Sequence, residues 1–217
     1  MKVYWKCTEK KDEITYNILQ GYKMKGKNFS CNNTGHRKQS DFYETPYSLT
    51  QLLLNVEKLK EPILEPACGK GAIKRVLKLN GYTDITAYDI LKGKDFLKEI
   101  KHYTTIITNP PYSLSMKFIE QAKKLSDEFY FLLPLTYLHG IERYEKLYKK
   151  PTFPLRKIYV FTRYPMLGEP LRSDGKINTG MMVYAWFCFS KNYKGNPEIS
   201  WLDINKYILS KRDKNTK

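Results

Sequence analysis

The chain has 217 residues, enough for about one domain with a substantial core, and 38 Lys and Arg against 22 Asp and Glu leave it a net charge of +16. Hydrophobic residues make up 41% and charged residues 28%, an ordinary globular balance that excludes an acidic, solvating disordered chain. The cationic excess points to a polyanionic partner, nucleic acid before a membrane surface. No apolar run approaches the roughly 18–20 residues of a spanning helix. Residues 1–7 lack the apolar core of a secretion signal, and Cys7, Cys31, Cys68 and Cys188 are scattered without a CxxC pair. A cytoplasmic protein without a membrane segment is the expectation. The charge divides the chain in three: residues 1–40 carry 9 basic and 3 acidic side chains, residues 191–217 carry 7 and 3, and residues 41–190 carry 22 and 16. We read a basic N-terminal arm over 1–40, a main domain over 41–190 and a basic C-terminal extension over 191–217. Cationic ends suit a phosphate backbone, and they equally serve solubility.

Along the chain, the glycines at 21, 26 and 35 interrupt the arm. Pro46 then opens a helix predicted over 47–59, with Leu49, Leu52, Leu53 and Val56 at helical spacing. A short strand over 62–65 runs into a glycine-rich turn, followed by a helix over 72–80 closed by Gly81. A strand over 84–89 ends in an acid, and a β-branched strand over 103–108 ends in Asn-Pro-Pro-Tyr. An amphipathic helix over 115–126 precedes a strand over 129–133, and two aromatic strands follow at 157–163 and 182–190. Strands alternating with helices imply an α/β fold with a mostly parallel sheet, the last two strands forming an antiparallel C-terminal hairpin. In such sheets ligands sit outside the C-terminal ends of the strands, where all the motifs fall.

Three motifs carry chemistry. In Glu65-Pro66-Ala67-Cys68-Gly69-Lys70-Gly71 a strand enters a Gly-x-Gly turn, which lets backbone approach a ligand ahead of the amides of the next helix. Position 74 is Lys where a dinucleotide site has its third glycine, so the NAD reading weakens; Glu65 instead suits a ligand ammonium. Asp89 ends the next strand, 18 residues beyond Gly71, where a carboxylate can accept two ribose hydroxyls. Asp95-Phe96 offers an acceptor beside a flat ring, although Asp95 could equally cap the short helix after it. The most specific motif is Asn109-Pro110-Pro111-Tyr112. Its prolines hold the strand exit rigid and keep Asn109 out of the helical region, so that the Asn109 amide oxygen and the Pro110 carbonyl converge on one planar amine. Tyr112 could then stack on the ring bearing that amine.

These residues, with Asp41-Phe42-Tyr43-Glu44-Thr45-Pro46 ahead of them, resemble the S-adenosylmethionine-dependent amino-methyltransferases, and within these the adenine-specific (N-6) DNA methyltransferases of phage and prophage type. The resemblance covers about 41–190. It implies a Rossmann-like methyltransferase fold, S-adenosyl-L-methionine as cofactor and methyl transfer to the exocyclic amine of adenine. Catalysis would fall to Asn109, Pro110, Pro111 and Tyr112. It also implies that Glu65, Gly69 and Gly71 hold the methionine part of the cofactor, Asp89 the ribose, and Asp95 and Phe96 the adenine, with Ala67, Ile90 and Asn109 also binding the cofactor. Tyr43 and Thr45 would close over the methionine end. The aromatic strand from Ile158 to Tyr164 resembles a later family motif that supplies a second face for a flipped base. The chain departs from restriction-type relatives, because only residues 165–179 separate its last two strands. Either the arm assists recognition, or the target is short and relaxed, or a partner chain supplies specificity. DNA is favoured over RNA as substrate. The alternatives are the same transfer to ribosomal or other RNA, methylation of a protein glutamine amide, which the charge disfavours, and a non-catalytic nucleic-acid-binding module. Cys7, Cys31 and His36 lack a metal-ligand spacing, so no metal is expected. Cys68 reads as a small buried residue, His139 as a loop residue, and Tyr184, Trp186, Phe187 and Phe189 as core.

Overall fold

A computed structural model describes residues 45–149, 151–163 and 183–206. The arm 1–40, Tyr43, the loop 165–179 and residues 207–217 lie outside the described residues, as do Cys7, Cys31 and His36. Helix α1 (Tyr47–Leu54) buries Leu49, Leu52 and Leu53 on one face. It ends earlier than the periodicity predicts: Val56 is exposed and Glu57 turns away to bond Arg156 and Tyr159. Strand β1 (Ile63–Glu65), helix α2 (Ala72–Leu79), strand β2 (Ile85–Ala87), strand β3 (Tyr103–Thr108) and helix α3 (Ser115–Leu125) follow where the sequence places them. Strand β4 (Ser126–Pro134) starts directly from α3, three residues before its predicted start. Ser126 makes the switch in one step: its backbone is already extended while its hydroxyl donates to the Ala122 carbonyl at 2.8 Å. A helical stretch, Ile141–Arg143 continuing as a π-helix over Tyr144–Tyr148, has no counterpart among the predicted elements. Strands β5 (Leu155–Phe161) and β6 (Tyr184–Ser190) match the two aromatic runs, and β7 (Glu198–Leu202) adds a strand within the stretch assigned to the C-terminal extension.

The seven strands form one sheet in the order β2-β1-β3-β4-β6-β5-β7. Six run in one direction, and β6 alone runs against them, inserted between β4 and β5. The chain is therefore an α/β protein with a Rossmann-like, mostly parallel sheet and an antiparallel β5–β6 pair near its C-terminal end. Both faces are buried, so β4 sends Phe129, Phe131 and Leu133 into one apolar cluster and Tyr130 and Leu132 into the other. Helix α3 packs on the first face, and α1 and α2 on the second. Trp186 is fully enclosed among the α1-side residues, and its indole N–H donates to the Leu49 carbonyl at 2.9 Å. That bond ties β6 to α1 and leaves the large side chain with no unmet donor.

Candidate active site

The site begins where β1 ends. Glu65 is 1% exposed, and its carboxylate accepts the Lys74 backbone N–H at 2.9 Å, one turn into α2. Burial pushes this carboxyl up to about 8, against the smaller opposing pull of that amide and of the Lys74 charge. Beyond it the β1–β2 pairing continues past the regular strands, with Tyr88 N–H donating to the Glu65 carbonyl and Cys68 N–H to the Tyr88 carbonyl. The turn then closes through left-handed backbone at Gly69 (φ +48°) and Gly71 (φ +80°). A Cβ on Gly71 would meet nothing within 4 Å, so conformation and not crowding demands glycine there. Cys68 is buried, and burial together with the neighbouring Glu65 raises its thiol, which fits a packing residue and not a nucleophile.

Asp89 follows β2, 7% exposed, with both carboxylate oxygens already engaged: Oδ2 accepts the Gly69 N–H at 2.8 Å and Oδ1 the Leu91 N–H at 2.9 Å. One side chain thus pins the glycine turn and caps the 3-10 turn Ile90–Lys92. Each oxygen has a second lone pair, so the carboxylate can still receive hydroxyl donors. Asp95 likewise caps the 3-10 turn Phe96–Lys98, accepting the Leu97 N–H at 2.9 Å. The Phe96 ring is buried against Phe118 from α3, with centroids 4.9 Å apart.

At the end of β3, the Asn109 Nδ2 donates to the Thr45 hydroxyl at 3.2 Å. Thr45 is buried at the approach to α1, and here it orients the Asn109 amide. The prolines lead into a 3-10 turn, Tyr112–Leu114, fastened by the Ser115 hydroxyl donating to the Tyr112 carbonyl at 2.9 Å. The Tyr112 ring stacks on Tyr184, with centroids 5.4 Å apart and planes 28° from parallel.

These segments meet in one cavity, open to solvent, of about 200 Å³. Thr45, Glu65, Ala67, Gly69, Asp89, Ile90, Asp95, Phe96 and Asn109 through Tyr112 all line it, so the anticipated site residues converge apart from Tyr43 and Gly71. Tyr43 is outside the described residues, and Gly71 faces a neighbouring depression. Leu114 and Phe118 complete the apolar wall; their spacing of four, directly after Tyr112, is the sequence signal that could have found them. Two expectations change. Tyr184 is half-buried and not core, because an antiparallel strand begins at the edge where parallel strands end, which brings the start of β6 to Tyr112. Ile158, Tyr159 and Phe161 are buried in the core and do not line the cavity, because β6 stands between β5 and β4; Tyr164 is outside the described residues. Trp186, Phe187 and Phe189 are core, and His139 is exposed after the 3-10 turn Leu135–Leu138. Among the described residues, no helix is long and apolar enough to cross a membrane.

No family model and no curated protein matches the chain. Among solved structures it is similar to a provisionally assigned RNA methyltransferase from Pyrococcus horikoshii, with a TM-score of 0.49 and 15% identity over 66% of this chain and 82% of that one. It is also similar to the modification subunit of a provisionally assigned type I restriction enzyme from Vibrio vulnificus, with a TM-score of 0.47 and 14% identity over 87% of this chain and 50% of that one. TrmN from Thermus thermophilus gives a TM-score of 0.41 and 16% identity over 66% of this chain and 48% of that one. The chain thus spans about half the length of the last two proteins. The α/β architecture itself rests on the strand order and directions described above.

Proposed function

We propose that this protein transfers a methyl group from S-adenosylmethionine to the exocyclic amino group of adenine in DNA. One observation carries the reading: the carboxylates of Glu65, Asp89 and Asp95 share a single cavity with the Asn109-Pro110-Pro111-Tyr112 turn. The lining fits the cofactor by its chemistry. Glu65 is a buried acid facing the cavity, and a ligand ammonium would offset the cost of ionising it. Asp89 would accept the ribose hydroxyls on its remaining lone pairs, and Asp95 with Phe96 would take the adenine.

When bound, the cofactor supplies a methyl group already activated on a sulfonium. The chain's own work is therefore positioning and charge stabilisation. With its nitrogen bonded to Thr45, the Asn109 amide presents its oxygen as the atom able to take a hydrogen from the substrate amine. The Pro110 carbonyl takes the second hydrogen, and both acceptors stabilise the positive charge that develops on the nitrogen. Tyr184 stacks on Tyr112 and would brace that ring for stacking against the base. The target adenine must be unstacked or already single-stranded to reach this turn, at a cost of a few kcal/mol.

The net charge of +16 favours a nucleic acid over a protein amide as substrate. Incubation with methyl-labelled cofactor and separate DNA and RNA pools, followed by digestion to nucleosides, tests the reading. Label on deoxyadenosine is the expected result. Label confined to adenosine of RNA would move the substrate to RNA, and label on neither would overturn the proposal.

A further inference from the structure

The segment from Lys94 to Glu99 brings Asp95, Phe96 and Leu97 to the cavity wall, and its two ends are joined by an ion pair, Lys94 Nζ to Glu99 Oε2 at 3.1 Å. The Glu99 side chain is 8% exposed and takes donors on both oxygens. Oε2 also accepts the Tyr88 hydroxyl at 2.9 Å, and Oε1 accepts the Ile100 and Lys101 backbone N–H groups, each at 3.1 Å. Lys94 Nζ lies 4.2 Å from the centroid of the Tyr88 ring, so ammonium, phenol and carboxylate form one closed group. The Glu99 carbonyl accepts Gln121 Nε2 at 2.8 Å, three residues beyond the Phe118 ring that packs on Phe96 and on the same face of α3. Burial alone would raise the Glu99 carboxyl, yet the Lys101 amide, Lys94, the Tyr88 hydroxyl and the Ile100 amide outweigh it and hold the carboxyl down to about 2. Closing a short turn does not require so much. Within the segment the Lys98 N–H already bonds the Asp95 carbonyl, and the Glu99 N–H bonds the Phe96 carbonyl. What the Glu99 carboxylate adds is a fixed relation to Tyr88, the residue before Asp89, whose own N–H donates to the Glu65 carbonyl. The Asp95 segment is thereby tied to the strand ends that carry Glu65 and Asp89.

We infer that Glu99 is a positioning residue for the cofactor: through Tyr88, Lys94 and Gln121 it holds Asp95 where that carboxylate accepts the exocyclic amine of the adenine. Adenine as the occupant rests on the methyltransferase reading above, and the clasp itself on the bonds around Glu99. A segment held in place before its ligand arrives loses less freedom on binding, so the clasp acts on affinity and selectivity and not on the transfer step.

Calorimetry on the full chain with S-adenosylhomocysteine and its inosine analogue, in which an oxygen replaces that amine, reads the position of Asp95. Wild type should prefer the adenosyl ligand by about tenfold or more, the scale of one hydrogen bond to a charged group. Glu99→Gln should weaken binding of the adenosyl ligand and narrow the preference to about threefold or less. Glu120→Gln, which removes the same charge from an exposed position on α3, should keep the wild-type preference. Lys94→Met opens only one end of the clasp and should narrow the preference in the same direction, which preserves the test if Glu99→Gln does not fold. An equal loss for both ligands in Glu99→Gln, with the preference retained, would make Glu99 a structural residue and overturn the inference, as would the same narrowing in Glu120→Gln. A wild type that binds both ligands alike would take the amine away from Asp95, and the inference with it. Failure of the wild type to bind the adenosyl ligand at all sinks the cofactor reading and leaves the clasp without a ligand. Tight, selective binding by the wild type with an unchanged preference in Glu99→Gln, or in Lys94→Met where the first variant fails to fold, sinks the clasp alone.

Discussion

Asn109 and Thr45 are bonded to each other across 64 positions of sequence, and this pair sets the expectations for the chemistry. Asn109→Ala removes one of two acceptors for the amine, so turnover should fall about a hundredfold while melting temperature and cofactor affinity barely move. Thr45→Val should lower turnover in the same direction by releasing the amide, and Thr45→Ser, which keeps the hydroxyl, should restore it. Single-turnover assays beside calorimetry check both. If Thr45→Ser is as impaired as Thr45→Val, Thr45 acts through its methyl packing and not through the bond. Glu65 gives a pH signature. Its carboxyl titrates near 8 in the folded protein, against 4.5 for an ordinary carboxyl. Between those values the unfolded chain releases a proton that the folded chain keeps, so burying Glu65 costs progressively more stability as pH rises through that window. Glu65→Gln should therefore melt higher than wild type at pH 8 without cofactor, the gap closing towards pH 5. Each kcal/mol corresponds to about 2–4 °C for a domain of this size. The same variant should bind cofactor more weakly. A melting difference that does not change with pH would show that Glu65 is ionised throughout.

Among the elements, the turn between β1 and α2 needs its glycine for backbone geometry alone. Gly71→Ala places a side chain at φ +80° with open space around it, so the cost is the left-handed penalty of about 1–2 kcal/mol and no clash. A thermal melt lower by a few degrees, with the fold intact by circular dichroism, is the expected outcome; failure to fold would mean the turn is crowded. This turn, the acid after β2 and the Asn-Pro-Pro-Tyr exit were legible in the sequence because each is a local pattern at a strand end. Parallel pairing of β1, β2 and β3 then gathers those ends without any further information. What long-range pairing decides was not legible. The contact of Tyr184 with Tyr112 depends on β6 inserting beside β4, which no local run of residues specifies. The amide bond from Gly69 that fixes Asp89 depends on the turn after β1 meeting the turn after β2. Strand β7 was missed although Ile199 and Trp201 alternate, because its alternating pair faces solvent and only Leu202 is buried. Helix α1 stops short of its apolar period because a charged network captures Glu57.

For the molecule as a whole, β7 covers the outer edge of β5 from Lys157 to Phe161. A chain ending at residue 197 should lose that cover and expose an apolar edge. Such a chain is expected to melt lower and to sediment as aggregates at concentrations where the full chain stays monodisperse, while residual cofactor binding persists in its folded fraction. Unchanged melting would show that β7 is dispensable to the sheet.

The insertion of β6 also has a consequence for how this protein comes into being. Among the described residues, those lining the cavity lie between Thr45 and Phe118, so that part of the lining has been synthesised before β4 is complete. Yet β4, whose stretch from Phe129 to Leu133 is almost wholly enclosed in the finished sheet, has no neighbour on its far side until residues 184–190 leave the ribosome. During that interval the nascent chain displays an apolar, unpaired strand edge. These lining residues are translated before β4 gains its second neighbour, and their safe assembly waits on a strand that follows them.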